Sequence, residues 1–518
     1  MKKIISNIFF FPSLLFSLCF VSCNKDNFLD VNKDPNRATG DNITPYLIFP
    51  QVSHAVGVTQ FGNLDFLQNW LGQQAISGDF VPNGPVANYQ IDFTFSNNLW
   101  GNNYNTLFDL EQVRIRALAV GDKPLAAAAI TLKAQLFQNL VDVFGNIPYS
   151  NAFQSDLFPQ PKYDKAQDIY QALQVSLDEA VTYFNENPTA SSSFKTADRI
   201  NAGNIGKWRR YANTLKLRMV VRQSEISTFV NIPSEISKIL SNGGVLGSGE
   251  SIRVQPGYLN DVNKQMPFYG TYILTPAGQD PNAVRANDYF VNLLRVNNDP
   301  RLSQMFRLPA SGTTIRGSIL GAPVNSPGNP ATNPTSAQSS KYGVGYAVDA
   351  TESQWIFTSV EGQFLLAEAI ARGWITTLSA QTAYENAVKE SFIFFKVPND
   401  VASANTYLTS QPIAQWSTVA AGSTLQKARF IALQKYIALC ALDPIELWGD
   451  YRRLNLSLPP VNVPSYPGLT NISVSTARTS NVIPIRLKYP QTEYTSNGPS
   501  VQPQGDPNIF TSKIFWIP

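Results

Sequence analysis

The chain has 518 residues, 43% of them hydrophobic, with 40 basic against 37 acidic side chains and one histidine. A net charge of +3 is too small to direct it to a polyanion, so nucleic acid is not an expected partner. With His54 alone, a zinc site holding two or more imidazoles is impossible, and a Ser-His or Cys-His nucleophile would need that one ring, which sits in an ordinary apolar setting. Two carboxylates could still act on a glycosidic bond, but no short acidic motif stands in an aromatic, cleft-like context. No loop has the spacing of a calcium cage either. A carboxylate hydrolase thus stays a minor alternative, and no metal or cofactor is expected.

In chain order, the first element is an export signal. Lys2 and Lys3 precede an apolar run over residues 4–20 that is broken by Ser6, Asn7 and Pro12 and is short for a membrane span. Val21-Ser22-Cys23 closes the run and Asn24-Lys25-Asp26-Asn27 follows, a pattern that resembles a bacterial lipobox with Phe20 where Leu is usual. Residues 1–22 thus read as a lipoprotein signal peptide and Cys23 as the lipidated first residue of a mature chain whose net charge is +1 once Lys2 and Lys3 are gone. Cys19 leaves with the signal, and Cys440 remains as a small core residue with no disulfide partner.

Four helix pairs are expected beyond this point. The first joins 99–120, carrying Trp100, Tyr104, Leu107, Leu110 and Val113, to a helix opened by Pro124 whose stripe is Leu125, Ala129, Leu132, Leu136, Leu140 and Val143. Gly145 and Pro148 end it. The second pair is 164–184, with Asp164 and Gln167 at capping-box spacing, and 206–222. The third is 355–372 and 380–395, joined at Gly373. The fourth runs from near Leu425 through Leu442 and restarts at Asp443-Pro444 toward Tyr451. Each stripe is too wide to bury alone, so the spacing predicts a mostly α fold, a tetratricopeptide-like α-solenoid of about four pairs.

Residues 245–353 interrupt the pairs, with helical periodicity only over 287–296 and a Gly/Pro/Asn/Ser-rich loop over 321–340. The expected organisation is a segment 23–244 with the first two pairs, an irregular ligand-loop insertion 245–353, the last two pairs over 354–456 and an irregular segment 457–518, all packed as one domain. The chain is rich in aromatic side chains, 31 Phe, 21 Tyr and 8 Trp, and Asn is scattered through its loops. A planar ring covers the apolar face of a sugar while amides bond to its hydroxyls, so this chemistry suits a neutral polar ligand.

Several motifs in order resemble one family along nearly the whole mature chain. They are Phe28-Leu29-Asp30-Val31-Asn32-Lys33-Asp34-Pro35-Asn36, Phe144-Gly145-Asn146-Ile147-Pro148-Tyr149, the stretch from Gly206-Lys207-Trp208 to Arg218, Asp299-Pro300-Arg301-Leu302, Leu366-Ala367-Glu368-Ala369, Glu446-Leu447-Trp448-Gly449-Asp450-Tyr451-Arg452-Arg453, Ile483-Pro484-Ile485-Arg486 and Lys513-Ile514-Phe515-Trp516. The family they resemble is the SusD/RagB-like nutrient-binding outer-membrane lipoproteins of Bacteroidetes, in particular its second SusD-like group. Tyr436 stands where Trp is usual. Trp208 and Trp448 read as locks between helices, and Glu446, Arg452 and Arg453 as local pairs or caps.

The resemblance implies a role outside enzymology, that of a lipid-anchored protein at the outer membrane, facing outward, that binds an oligosaccharide and delivers it to a SusC-like TonB-dependent transporter. A peptide-binding component of a RagA/RagB-type importer is the alternative. Contact residues do not follow from the motifs and are chosen from chemistry and position. Asp79, Phe80, Asn83 and Tyr89 form one aromatic and polar cluster, Tyr269 and Tyr272 a second, and Tyr342 and Tyr346 a third. Trp70 is expected in the core.

Overall fold

The computed structural model describes residues 43–62, 64–226, 231–325, 333–456 and 473–518. Cys23, the signal peptide and the 28–36 motif lie outside them. The long helices are α1 (Pro45–Gly62), α2 (Asn97–Ala119), α3 (Lys123–Phe144), α4 (Ala166–Glu186), α5 (Ile205–Arg222), α6 (Ser359–Ala371), α7 (Ala380–Phe394), α8 (Thr424–Ala438) and α9 (Pro444–Arg453). Helices α1 to α5 pack in sequence order, α6 packs on α5, α7 and α8, and α9 returns to α3 and α5. The fold is mostly helical, as the periodicity predicts.

Local chemistry sets most boundaries. Asp122 caps α3 by accepting the Leu125 N–H at 3.2 Å, and Gly145 ends it at φ +83°, a conformation that favours glycine. Ser423 and Gln426 form a capping box on α8, and Asp443 accepts the Glu446 N–H at 3.1 Å to start α9.

Two boundaries differ from expectation. Asp164 does not cap a helix; its carboxylate accepts the N–H groups of Tyr149 and Ser150, at 3.1 and 2.7 Å, as part of a strand pair. Helix α4 starts two residues later, where the Ala166 N–H donates to Asn146. Trp355 does not open a helix either. It lies in a fully buried strand, Gln354–Phe357, paired with Ile252–Val254, and Thr358 caps α6 after it. Helix α1 gave no clear signal because Pro50 interrupts it, yet Phe49, Val52 and Val56 are buried along it.

Glu446, Arg452 and Arg453 bond across elements rather than only locally. Arg222 of α5 meets Asp142 of α3 at 3.2 Å and also pairs with Glu446 of α9, which holds Lys435 of α8. Arg453 joins Glu368 of α6 and Asp450, at 2.6 and 2.7 Å, while Arg218 lies 3.4 Å from Glu361 and 3.6 Å from Asp443. The Arg452 guanidinium sits between the Trp448 and Trp516 rings, 3.6 and 4.5 Å from their centroids, and donates to the carbonyls of Asp142 and Ile485. Trp208 and Trp448 are buried, with indole N–H groups on Asp198 and on the Pro484 carbonyl. Cys440 is buried, and burial pushes its thiol up to about 12. His54 is half-buried, 5.7 Å from the Tyr258 ring, and burial lowers its pKa.

Glu446→Ala strands Arg222 and Lys435 without their shared carboxylate and is expected to cost about 3–5 kcal/mol in urea unfolding; a loss below about 1 kcal/mol would contradict the network's role. Burial alone would raise the Glu368 carboxyl, but Arg453 and Arg372 hold it at about 2 against an ordinary 4.5. Its contribution to stability is thus full above 4.5 and declines as pH falls toward 2. Glu361 and Asp443, pushed up mainly by burial, act in the opposite sense, so the attribution requires the variant. Glu368→Gln should flatten the acid limb of a stability–pH curve in that window; an unchanged slope would assign it elsewhere.

Candidate ligand-binding site

The first predicted cluster grows out of a short sheet. Strand β1 (Gln74–Ile76) pairs antiparallel with β2 (Val284–Ala286), and the chain then turns outward over residues 77–83. Every polar group near the start of this turn is held. The Ser77 N–H donates to Ala283 and the Gly78 N–H to Pro334, while the Gly78 carbonyl accepts the Asn325 N–H at 2.8 Å. A Cβ on Gly78 would lie 2.2 Å from the Asn333 carbonyl oxygen, so no larger residue fits there. Asp79 accepts the N–H and hydroxyl of Ser336 at 2.8 and 2.9 Å. Burial pushes its carboxyl up, but hydrogen bonds from Ser77 and Ser336 outweigh that and hold it below the ordinary value.

This stapled turn presents its next residues to solvent. Phe80 is 50% exposed and Val81 78%, and Asn83 is exposed at the start of a short helix, Gly84–Asn88. Tyr89 ends that helix in the left-handed region at φ 58° and is buried against Trp70, with ring centroids 6.3 Å apart. Behind it lies a cleft of about 620 Å³ lined by Gln90, Asp92, Thr479, Lys488 and Asn508.

The second and third clusters merge into one aromatic core. Phe268 sits 5.2 Å from Tyr272, 5.3 Å from Tyr342, 5.2 Å from Tyr346 and 4.8 Å from Trp355. Their hydroxyls are satisfied inside the protein: Tyr272 donates to Asp65, Tyr342 to Gln68, and Tyr346 to the Cys440 carbonyl. Tyr272, Tyr342 and Tyr346 are therefore interior residues that fasten the insertion to the helices, and Tyr89 is buried too, with one edge on the cleft behind the 77–83 turn. Loop position alone suggested contact; a tyrosine whose hydroxyl finds an internal acceptor buries as readily as phenylalanine. Trp70 is in the core as expected.

Of the predicted residues, Asp79, Phe80, Asn83 and the half-buried Tyr269 remain at the surface. A basic group that the sequence did not reveal connects two of them, Asp79 and Tyr269. Arg285 donates to the Ser336 carbonyl and to Asp280, and its charge interacts with Asp79 and with Arg307. Arg307 donates to the Ile273 and Tyr342 carbonyls and interacts with Tyr269. Lys341 also pairs with Asp280, and burial lowers it to about 8. These side chains come from positions 285, 307 and 341, and only the folded insertion assembles them.

Among the described residues no group of three or more His, Cys, Asp or Glu could hold a metal ion, and no helix is long and apolar enough to cross a membrane. The site offers a ring, amides and fixed charges on a braced loop, which is the equipment for binding.

The fold has clear counterparts among solved structures. A SusD homologue from Bacteroides fragilis is 22% identical, covers 92% of this chain and 99% of its own, and superposes with a TM-score of 0.70. A chitin-binding SusD homologue from Flavobacterium johnsoniae is 22% identical over 90% of this chain and 97% of its own, with a TM-score of 0.69. A SusD/RagB family protein from Bacteroides thetaiotaomicron, 18% identical over 92% and 99%, gives 0.70. No curated protein matches. The SusD-like_2 family model, described as starch-binding and associating with the outer membrane, matches residues 43–490. The chain therefore belongs to the SusD-like family of nutrient-binding outer-membrane proteins.

Proposed function

We propose that the protein captures an oligosaccharide on the 77–83 loop surface and passes it to a SusC-like TonB-dependent transporter while an acylated Cys23 holds it on the outer face of the outer membrane. The observation that carries this reading is Phe80. A phenylalanine ring left half in water on a loop braced from both sides loses the stabilisation that burial would bring, and a sugar face is a suitable cover for it. Asp79 and Asn83 supply polar groups on the same loop, and the chitin-binding neighbour supports a glycan as the ligand class. Tethering concentrates the binder beside a membrane partner without further contacts.

Phe80→Ala should lower affinity for the preferred glycan about tenfold or more, read by calorimetry across a panel of neutral oligosaccharides. Gly78→Ala should weaken binding with Phe80 still present, because the loop must shift from Asn333. Tyr342→Phe alters only an interior hydroxyl and should leave affinity unchanged. Full affinity in both Phe80→Ala and Gly78→Ala would remove this surface as the site. Cys23→Ser should shift the protein from the membrane fraction to the soluble fraction; retention in the membrane would refute the anchor.

A further inference from the structure

Outside the loop surface, α2, α3, α4 and the 148–161 segment line two adjoining hollows of about 260 Å³ and about 330 Å³. They share Ala152 and Phe153 with each other and no residue with the cleft behind Tyr89. One wall is aromatic. Trp100, Tyr104 and Phe108 recur every four residues along α2, a row about 12 Å long at helical rise. Phe153 lies beside the row, 6.2 Å from both Tyr104 and Phe108, and Phe108 is 45% exposed.

The other wall is polar and already paired. Glu111 accepts Arg114 at 2.6 and 2.9 Å and also holds Lys133, with Glu179 nearby on the lining. Two carboxylates and two cations balance in the first hollow, and Glu493, the carboxylate that lines the second, accepts the Tyr163 hydroxyl and the Asn497 amide, so little charge is left to select an ionic ligand. Side-by-side acceptors and donors beside a row of rings match vicinal hydroxyls on a pyranose. Phe153 also holds a left-handed φ of 64°, a strained choice for a bulky residue, and it stands where the two hollows meet.

We infer that this groove is a second binding site for a neutral oligosaccharide, with sugar faces on Phe108 and Phe153 and hydroxyls on Glu111, Arg114 and Glu179. It borrows the ligand class from the reading above but none of that site's residues.

Hydroxyl-radical footprinting separates the two sites because it reads Phe80 independently of Phe108 and Phe153. The probe is a pool of neutral oligosaccharides cut from chitin, starch and xylan. Labelling of Phe108 and Phe153 should fall when the pool is added, both in the wild-type protein and in Phe80→Ala. Phe153→Gly removes the ring and its backbone strain together, so the melting temperature should hold while protection at Phe108 is lost. Protection at Phe80 alone overturns the second site and leaves the loop site standing. Protection at Phe108 that disappears in Phe80→Ala overturns its independence, and protection at neither place overturns both readings.

Discussion

The structure depends on a set of charges buried between helices. Arg222 of α5 reaches Asp142 of α3 and Glu446 of α9, Glu446 holds Lys435 of α8, and Arg453 returns from α9 to Glu368 of α6. Removing these ions from water is costly, and their attraction offsets that cost only when every partner is in place. No two helices satisfy the set alone. The network therefore favours the single arrangement in which α3, α5, α6, α8 and α9 meet, something a purely apolar interface would specify less sharply. Gly449 shows how tight the packing is: a Cβ there would collide with the Arg222 guanidinium.

The same centre secures the end of the chain. Trp516 donates to Asp142 at 2.8 Å and its ring lies 4.5 Å from the Arg452 guanidinium, so the C-terminal segment is tied directly to the charged core. The insertion is fastened in a different way, by two short strand pairs and by the ring cluster around Phe268. With the helices and the base of the insertion both held, residues 77–83 can keep an exposed ring in a fixed place. Such pre-organisation lowers the ordering cost of binding.

Aromatic residues divide into two roles by local hydrogen bonding and crowding. Tyr272, Tyr342 and Tyr346 turn inward because acceptors await their hydroxyls, and their rings then fill the insertion's core. Phe80, on the turn after β1, and Phe108, on α2, stay half in water. Composition announces an abundance of rings, but not which of them will be surfaces.

Much of the fold was legible in the chain. The stripes on α2 and α3 follow from 3.6-residue spacing, and Pro124, Gly145 and Asp443-Pro444 mark boundaries through backbone chemistry that acts within a few residues. The ordered motifs carried the family. Hidden were Trp355 in a strand, the burial of four of the eight proposed contact residues, and the grouping of Arg285, Arg307 and Lys341. Each depends on a partner distant in sequence: Ile252–Val254 for the strand, Asp65, Gln68 and Cys440 for the tyrosines, and Ser336, Ile273 and Asp280 for Arg285, Arg307 and Lys341 in turn. Periodicity and capping are properties of neighbouring residues and can be read along the chain, whereas burial and ion pairing are properties of what folding brings together, and only the tertiary structure decided them.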